Sequence, residues 1–280
     1  MIKSILFCTD GSEYSSVAGD YAIWLAQKLG ARIVALHVTD VRLLEAPLLA
    51  DLSGAIGAQP YQALLPQLQD MQEQRAGVIL NAVADRCRKA GVQCATLHRT
   101  GSVVDNIAEE ETRTELVVLG QRGEHAQAIG QFLGSSVERV VRRSIKPCLV
   151  TPAKFRELRH VLMAYDGSAQ SSKSLQVAVE LCRALGLKLS IVTVVPAPSE
   201  MGVNDAMEDA VRTAKDHGVE PTAETLVGHA EQRILEYAER RQVDLIVMGA
   251  YGHTHIRELI LGSTTTHVIR KSDVPVLLTR

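Results

Sequence analysis

A chain of 280 residues, 46% of them hydrophobic, has enough material for two packed domains, and its formal net charge of −2 supplies no field to draw it toward nucleic acid or an acidic membrane. No apolar run reaches the roughly 18 residues of a membrane helix, and the opening MIKSILFCTDGS lacks the long apolar stretch of a signal peptide, so a cytoplasmic protein with no membrane and no nucleic-acid partner is expected. The five cysteines, Cys8, Cys87, Cys94, Cys148 and Cys182, are odd in number and show neither CxxC nor zinc spacing; Cys8 and Cys148 lie in apolar strand runs and read as buried, inert thiols.

In chain order, strands are predicted near residues 2–9, 31–38, 93–98, 115–120 and 147–151. Their apolar character is continuous rather than alternating, as in strands covered on both faces of a parallel sheet. Helices are predicted between them, near 13–29, 62–90, 102–113 and 135–144. Ser12 and Ser102 are candidate N-caps, and Gly30 and Gly91 candidate helix stops. The second half repeats the pattern, with strands near 160–165, 187–195, 222–227, 243–249 and 275–279.

Four landmarks recur in the same order. IKSILFCTD at 2–10 and RHVLMAYD at 159–166 both exit through Gly-Ser; LVVLGQRG at 116–123 and LIVMGAYG at 245–252 both run into spaced glycines. Gly134-Ser135 and Gly262-Ser263 then open helices, and Pro147 and Pro275 open the last strands. This is a tandem duplication of one doubly wound α/β domain, with halves at 1–153 and 154–280. The halves differ between their second and third strands, where the segment from Thr39 to about Gly91 has a counterpart, Pro196 to about Val219, roughly half as long. Its extra stretch, VRLLEAPLLADLSGAIGAQPY at 41–61, reads equally as a lid or interface patch and as an ordinary packed excursion.

Ligands of doubly wound sheets bind beyond the carboxyl ends of the strands, where Asp10, Asp166 and the glycine loops fall. In GAYGHTHIRELILGSTT (249–265), Gly249 and Gly252 allow close backbone approach after a buried strand. Gly262 and Ser263 open a helix whose unpaired N–H groups and dipole favour phosphate, and Ser263, Thr264 and Thr265 add hydroxyl donors without charge. His253 and His255 lack a third metal ligand and read as solvated or phosphate-adjacent. Glu109, Glu110 and Glu111 read as a solvated helix face. Arg139, Arg142 and Arg143 read as surface pairing partners.

Glycine, two residues, glycine, nine residues, glycine and serine at 249–263 resembles the ATP-binding branch of the universal stress protein family, and the strand–Asp-Gly-Ser–helix opening of each half is similar to the same family over the whole chain. The resemblance implies a five-stranded parallel sheet of order 3-2-1-4-5 in each half, with helices on both faces. It implies an adenine nucleotide, ATP with or without magnesium, as ligand. Asp166 and Val194 would meet the adenine or ribose region, Met248, Gly249, Tyr251 and Gly252 the loop side, and Gly262, Ser263, Thr264 and Thr265 the phosphates. It implies further that the two last strands associate across a pseudo-twofold, so that one chain mimics a dimer, while two chains can associate further into a homodimer. In the first half Asp10, Val38, Gly120, Gly123, Gly134, Ser135 and Ser136 form a corresponding site, but ten residues replace nine between Gly123 and Gly134. Three functions follow: a regulatory ATP-binding protein acting through an unidentified protein partner, a slow ATP hydrolase using the same loop, and a dimerising scaffold without nucleotide. No Walker loop or base beside the phosphates is recognisable.

Overall fold

The computed structural model describes residues 2–40, 58–123, 135–197, 205–250 and 261–280. In the first half β1 (Ser4–Cys8), α1 (Glu13–Leu29), β2 (Arg32–Asp40), α2 (Ala58–Lys89), β3 (Cys94–Gly101), α3 (Val103–Glu110), β4 (Leu116–Gly120), α4 (Ser135–Arg143) and β5 (Cys148–Thr151) alternate as expected. The second half repeats them as β6 (His160–Ala164), α5 (Ala169–Leu185), β7 (Lys188–Val195), α6 (Asp205–Asp216), β8 (Thr222–Val227), α7 (Ala230–Arg240), β9 (Leu245–Gly249), α8 (Ser263–Lys271) and β10 (Val276–Thr279). Helix α2 starts at Ala58 rather than near 62 and carries Pro66 inside, giving up one amide hydrogen bond there. Residues 41–57, most of the apolar excursion, lie outside the described residues.

Within each half the strand order is 3-2-1-4-5, and β5 and β10 join the two sheets into one of ten strands, ordered β3-β2-β1-β4-β5-β10-β9-β6-β7-β8. That junction is antiparallel, with Val276, Leu277 and Leu278 opposite Val150, Leu149 and Cys148, whereas the other neighbours run parallel. The strands of one half therefore point opposite to those of the other, and their carboxyl ends lie at opposite edges of the sheet. Continuous apolar runs fill both faces. Ile5, Phe7, Ile33, Val161, Met163 and Ile191 pack under α1, α2, α5 and α6, while Leu6, Leu36, Val117, Leu162, Val192 and Ile246 pack on the other side.

The turns of the two halves are copies. Ser12 accepts the Ser15 amide and Ser168 the Ser171 amide, while Gly30 and Gly186 stop α1 and α5 in the left-handed region at φ 65° and 66°. A carboxylate just before the fourth strand clamps the start of the first: Glu115 accepts the Lys3 and Ser4 amides, and Asp244 accepts those of Arg159 and His160 at 3.0 and 3.1 Å.

Two of three glutamates expected on a solvated face are internal. Glu110 pairs with Arg99 at 2.9 Å and Arg113 at 3.5 Å, and Glu111, 1% exposed, accepts the Ile145 amide at 3.0 Å and the Ser144 hydroxyl. After α3 the chain tightens into a 3-10 turn over Glu111–Arg113, and Glu111 meets the entry to β5. Arg142 and Arg143 pair with Glu138 and Asp105 at the surface, as expected.

The segment between the halves is fastened to α1. The Tyr21 hydroxyl donates to the Lys154 carbonyl at 3.3 Å and accepts the Arg156 amide at 3.0 Å, and the Tyr21 and Phe155 rings lie 4.8 Å apart. Burial pushes the Tyr21 phenol up to about 12 from its usual 10. This favours the folded chain below pH 10, and the contribution is lost as pH rises toward 12. Tyr21→Phe should lower the free energy of urea unfolding by about 1–2 kcal/mol at neutral pH, because two hydrogen bonds go. The alkaline fall in stability should flatten with it.

Candidate functional site

In the second half β6 stays in the sheet through Tyr165, whose amide donates to Val192 O at 2.8 Å, and the chain then lifts off with Asp166 exposed. Asp166 Oδ1 accepts the Ser168 amide at 2.9 Å across Gly167, at φ 78°, which fixes the carboxylate at the rim just before α5. Neighbouring β9 delivers Met248, buried, and Gly249 to the same end, because β6 and β9 run parallel in register from Val161 and Leu245. Val194 of β7 is half-buried and packs against the apolar cluster that contains Met248. Together they place apolar side chains beside one carboxylate at the carboxyl end of the sheet.

The exit from β9 is fastened to α8. The Ala250 amide donates to Thr279 O at 2.9 Å, the Gly262 amide to Ala250 O at 3.3 Å, and the Thr265 hydroxyl to Gly249 O at 3.0 Å. Thr265 is 3% exposed and its hydrogen is committed inside the protein, so it holds the helix to the strand. The exposed Ser263 and half-buried Thr264 are the hydroxyls left at the helix start. Helix α8 has Gly262 as N-cap and, among the described residues, receives no side-chain cap, unlike α1, α3 and α5, each capped by serine. Its first amides carry the partial positive charge of a helix start at the edge where Asp166 emerges. Tyr251, Gly252, His253 and His255 lie outside the described residues.

The first half builds the same frame with other parts. Asp10 Oδ1 accepts the Ser12 amide at 3.0 Å, and Val38 is half-buried on the corresponding face. Gly120 lies against α1, where a Cβ would stand 2.9 Å from the Tyr14 carbonyl carbon; a Cβ on Gly123 would stand 2.8 Å from Asp10 Oδ2. The chain after β4 is thus drawn against Asp10. Ser135 and Ser136 open α4, and Gly134 lies outside the described residues.

Three differences separate the crevices. Val137 replaces Thr265, so the first half lacks that helix-to-strand hydroxyl bond. Gln121 replaces Ala250, and its amide reaches across the junction to the Ile269 carbonyl. His37 and His98 stand where the second half has Thr193 and Thr225: His37 Nδ1 donates to Thr9 O at 2.8 Å, the rings stack at 5.9 Å, and His98 Nε2 meets Thr39 Oγ1 at 2.9 Å. Burial lowers the His37 pKa, against the pull of its bond to Thr9 O. The histidine pair was not read from the sequence, because only the β2–β3 register brings residues 37 and 98 together. Among the described residues no helix is long and apolar enough to cross a membrane, and no group of three His, Cys, Asp or Glu side chains could hold a metal.

Residues 1–152 and 157–280 each match the sequence profile of the universal stress protein family. A universal stress protein of Synechocystis sp. is 39% identical over 287 aligned residues, covering 100% of both chains. One of Mycobacterium bovis is 27% identical over 99% of this chain and 94% of its own. The crystal structure of a universal stress protein from Archaeoglobus fulgidus superposes with a TM-score of 0.77 at 25% identity, over 99% of this chain and 98% of that one.

Two substitutions test the frame. Thr265→Val removes the donor to Gly249 O and should lower unfolding free energy by about 1 kcal/mol. Gly120→Ala forces a methyl against the Tyr14 backbone and should cost about 1–3 kcal/mol. Urea titration of both variants beside the parent chain reads the two effects.

Proposed function

The chain belongs to the universal stress protein family in tandem form, and from that premise we propose that it is a cytoplasmic regulatory protein whose second half, residues 154–280, binds ATP. The observation that carries this reading is the glycine-led start of α8, anchored through Gly262 and Thr265 to the strand beside Asp166. Backbone amides there, with the Ser263 and Thr264 hydroxyls, suit phosphate oxygens. Val194 and Met248 offer an apolar surface for the base, and Asp166 can accept from an exocyclic amine or a ribose hydroxyl. The glycine spacing at 249–263 supports the same ligand. A magnesium ion accompanying ATP would take its ligands from phosphate and water.

Binding, rather than turnover, is the activity proposed, since amides and hydroxyls orient phosphates without supplying a base. Residues 1–153 would form the second domain, with a weaker site at Asp10, Val38, Gly120, Gly123, Gly134, Ser135 and Ser136. Its loop is one residue longer, and Val137 cannot tie α4 to β4. Occupancy would then alter the surface offered to a partner protein or to a second copy of the chain.

Mass spectrometry of nucleotide released from freshly purified protein, with ATP titration calorimetry, tests the proposal. Adenine nucleotide should co-purify, and Asp166→Ala and Gly262→Val should each weaken ATP binding at least about tenfold, a loss of about 1.4 kcal/mol. No released nucleotide and no binding heat would contradict it, as would variants that bind like the parent chain.

A further inference from the structure

Five thiols are present, and two of them meet. Cys87 lies in the last turn of α2, fully buried, and Cys94 opens β3, half-buried. Between them the chain reverses tightly: the Val92 amide donates to Cys87 O at 2.9 Å, and Gly91 turns at φ 69°. Cys94 is in register with Ile33 of β2, so its side chain projects to the sheet face that α2 covers, where Ile33 and Cys87 belong to one apolar cluster and Cys94 packs against it. There the Cys94 thiol donates to Ala95 O at 3.7 Å and lies on the same face as Cys87. Cys8, Cys148 and Cys182 are held in apolar strand and helix interiors, where burial pushes each thiol up.

We propose that Cys87 and Cys94 are a dithiol–disulfide redox site, oxidised by a hydroperoxide and restored by a dithiol reductant, which staples the end of α2 to the outer strand β3. The half-buried Cys94 is the group a peroxide can reach. The neighbouring Cys87 thiol lowers the Cys94 pKa and favours the nucleophilic thiolate, while the same interaction and burial hold Cys87 up as the proton donor. The Cys94 thiolate attacks the peroxide, breaking its O–O bond and leaving a sulfenic acid at Cys94; the departing oxygen leaves as water or alcohol after taking a proton. The Cys87 sulfur then attacks the Cys94 sulfur, an S–S bond forms, the S–O bond breaks, and the hydroxyl departs with the Cys87 proton as water. Two thiols lose two electrons and the peroxide gains them.

The second half serves as an internal control. Ala214, whose carbonyl accepts the Val219 amide as Cys87 O accepts that of Val92, and Pro221, which precedes β8 as Cys94 precedes Ala95, occupy the equivalent positions. The site is therefore peculiar to the first half, at the amino end of its strands and away from either crevice.

Full-length protein treated with hydrogen peroxide, alkylated and digested without reductant should yield peptides joined through Cys87 and Cys94. The intact mass should fall by two hydrogens and recover with dithiothreitol, and the oxidised chain should melt at a higher temperature than the reduced one. Cys87→Ser should stop at a Cys94 sulfenic acid that a dimedone probe labels. Wild-type protein in which Cys94 proceeds to sulfinic acid while Cys87 remains open to alkylation after unfolding would overturn the proposal. So would a joined pair that contains Cys8, Cys148 or Cys182. Both readouts are made on the unaltered chain and do not depend on any variant folding.

Discussion

The antiparallel pairing of β5 with β10 is the constraint on which the rest of the molecule depends. Val150, Leu149 and Cys148 face Val276, Leu277 and Leu278, each no more than 2% exposed, and at roughly 1.5–3 kcal/mol for each fully buried large aliphatic side chain this is a strong seam. It removes one exposed edge from each half, which isolated doubly wound sheets would otherwise leave open to another chain. Because the seam reverses strand direction, it also sends the two carboxyl edges apart. Each half must then complete its own crevice, and what one loses through substitution the other cannot supply from across the sheet.

That separation matches how the halves have diverged. Parts that hold the frame are preserved in role even when the residue changes: Glu115 and Asp244 both clamp the first strand, Ser144 and Ser272 both tie the turn before the last strand, and Ser12 and Ser168 both cap the first helix. Beyond the shared Asp-Gly-Ser exits, parts at the strand ends are not preserved. Thr265 gives way to Val137, Thr193 to His37, and Ala250 to Gln121, whose amide is turned to bracing the junction at Ile269. The frame tolerates only residues that satisfy the same backbone groups, whereas the crevices are free to acquire separate chemistry.

Much of this was legible in the order of residues alone. Strands buried on both faces read as unbroken apolar runs, caps read as Ser before a helix and Gly after it, and the repeated Asp-Gly-Ser exits fixed which ends of the strands matter. What escaped depended on contacts between distant segments. Glu110 and Glu111 looked like solvated charge because their partners, Arg99 and the Ser144–Ile145 turn, come from other elements. Thr265 looked like one more phosphate donor until the closeness of β9 and α8 committed its hydroxyl. Cys87 and Cys94 carry no recognised spacing, and only the reversal at Gly91 and the register of β3 on β2 put both thiols on one face.

The proposed function requires a nucleotide site in the second half built by the start of α8 and the Asp166 turn. Its most direct test is to follow backbone amide resonances of the whole chain while ATP is added. The amides of Gly167, Ser168, Ser263, Thr264 and Thr265 should shift together at low ATP, with those of Gly11, Ser12 and Ser136 following only at higher concentration. Shifts that begin in the first half, or amides at 262–265 that stay still under saturating ATP, would contradict the account.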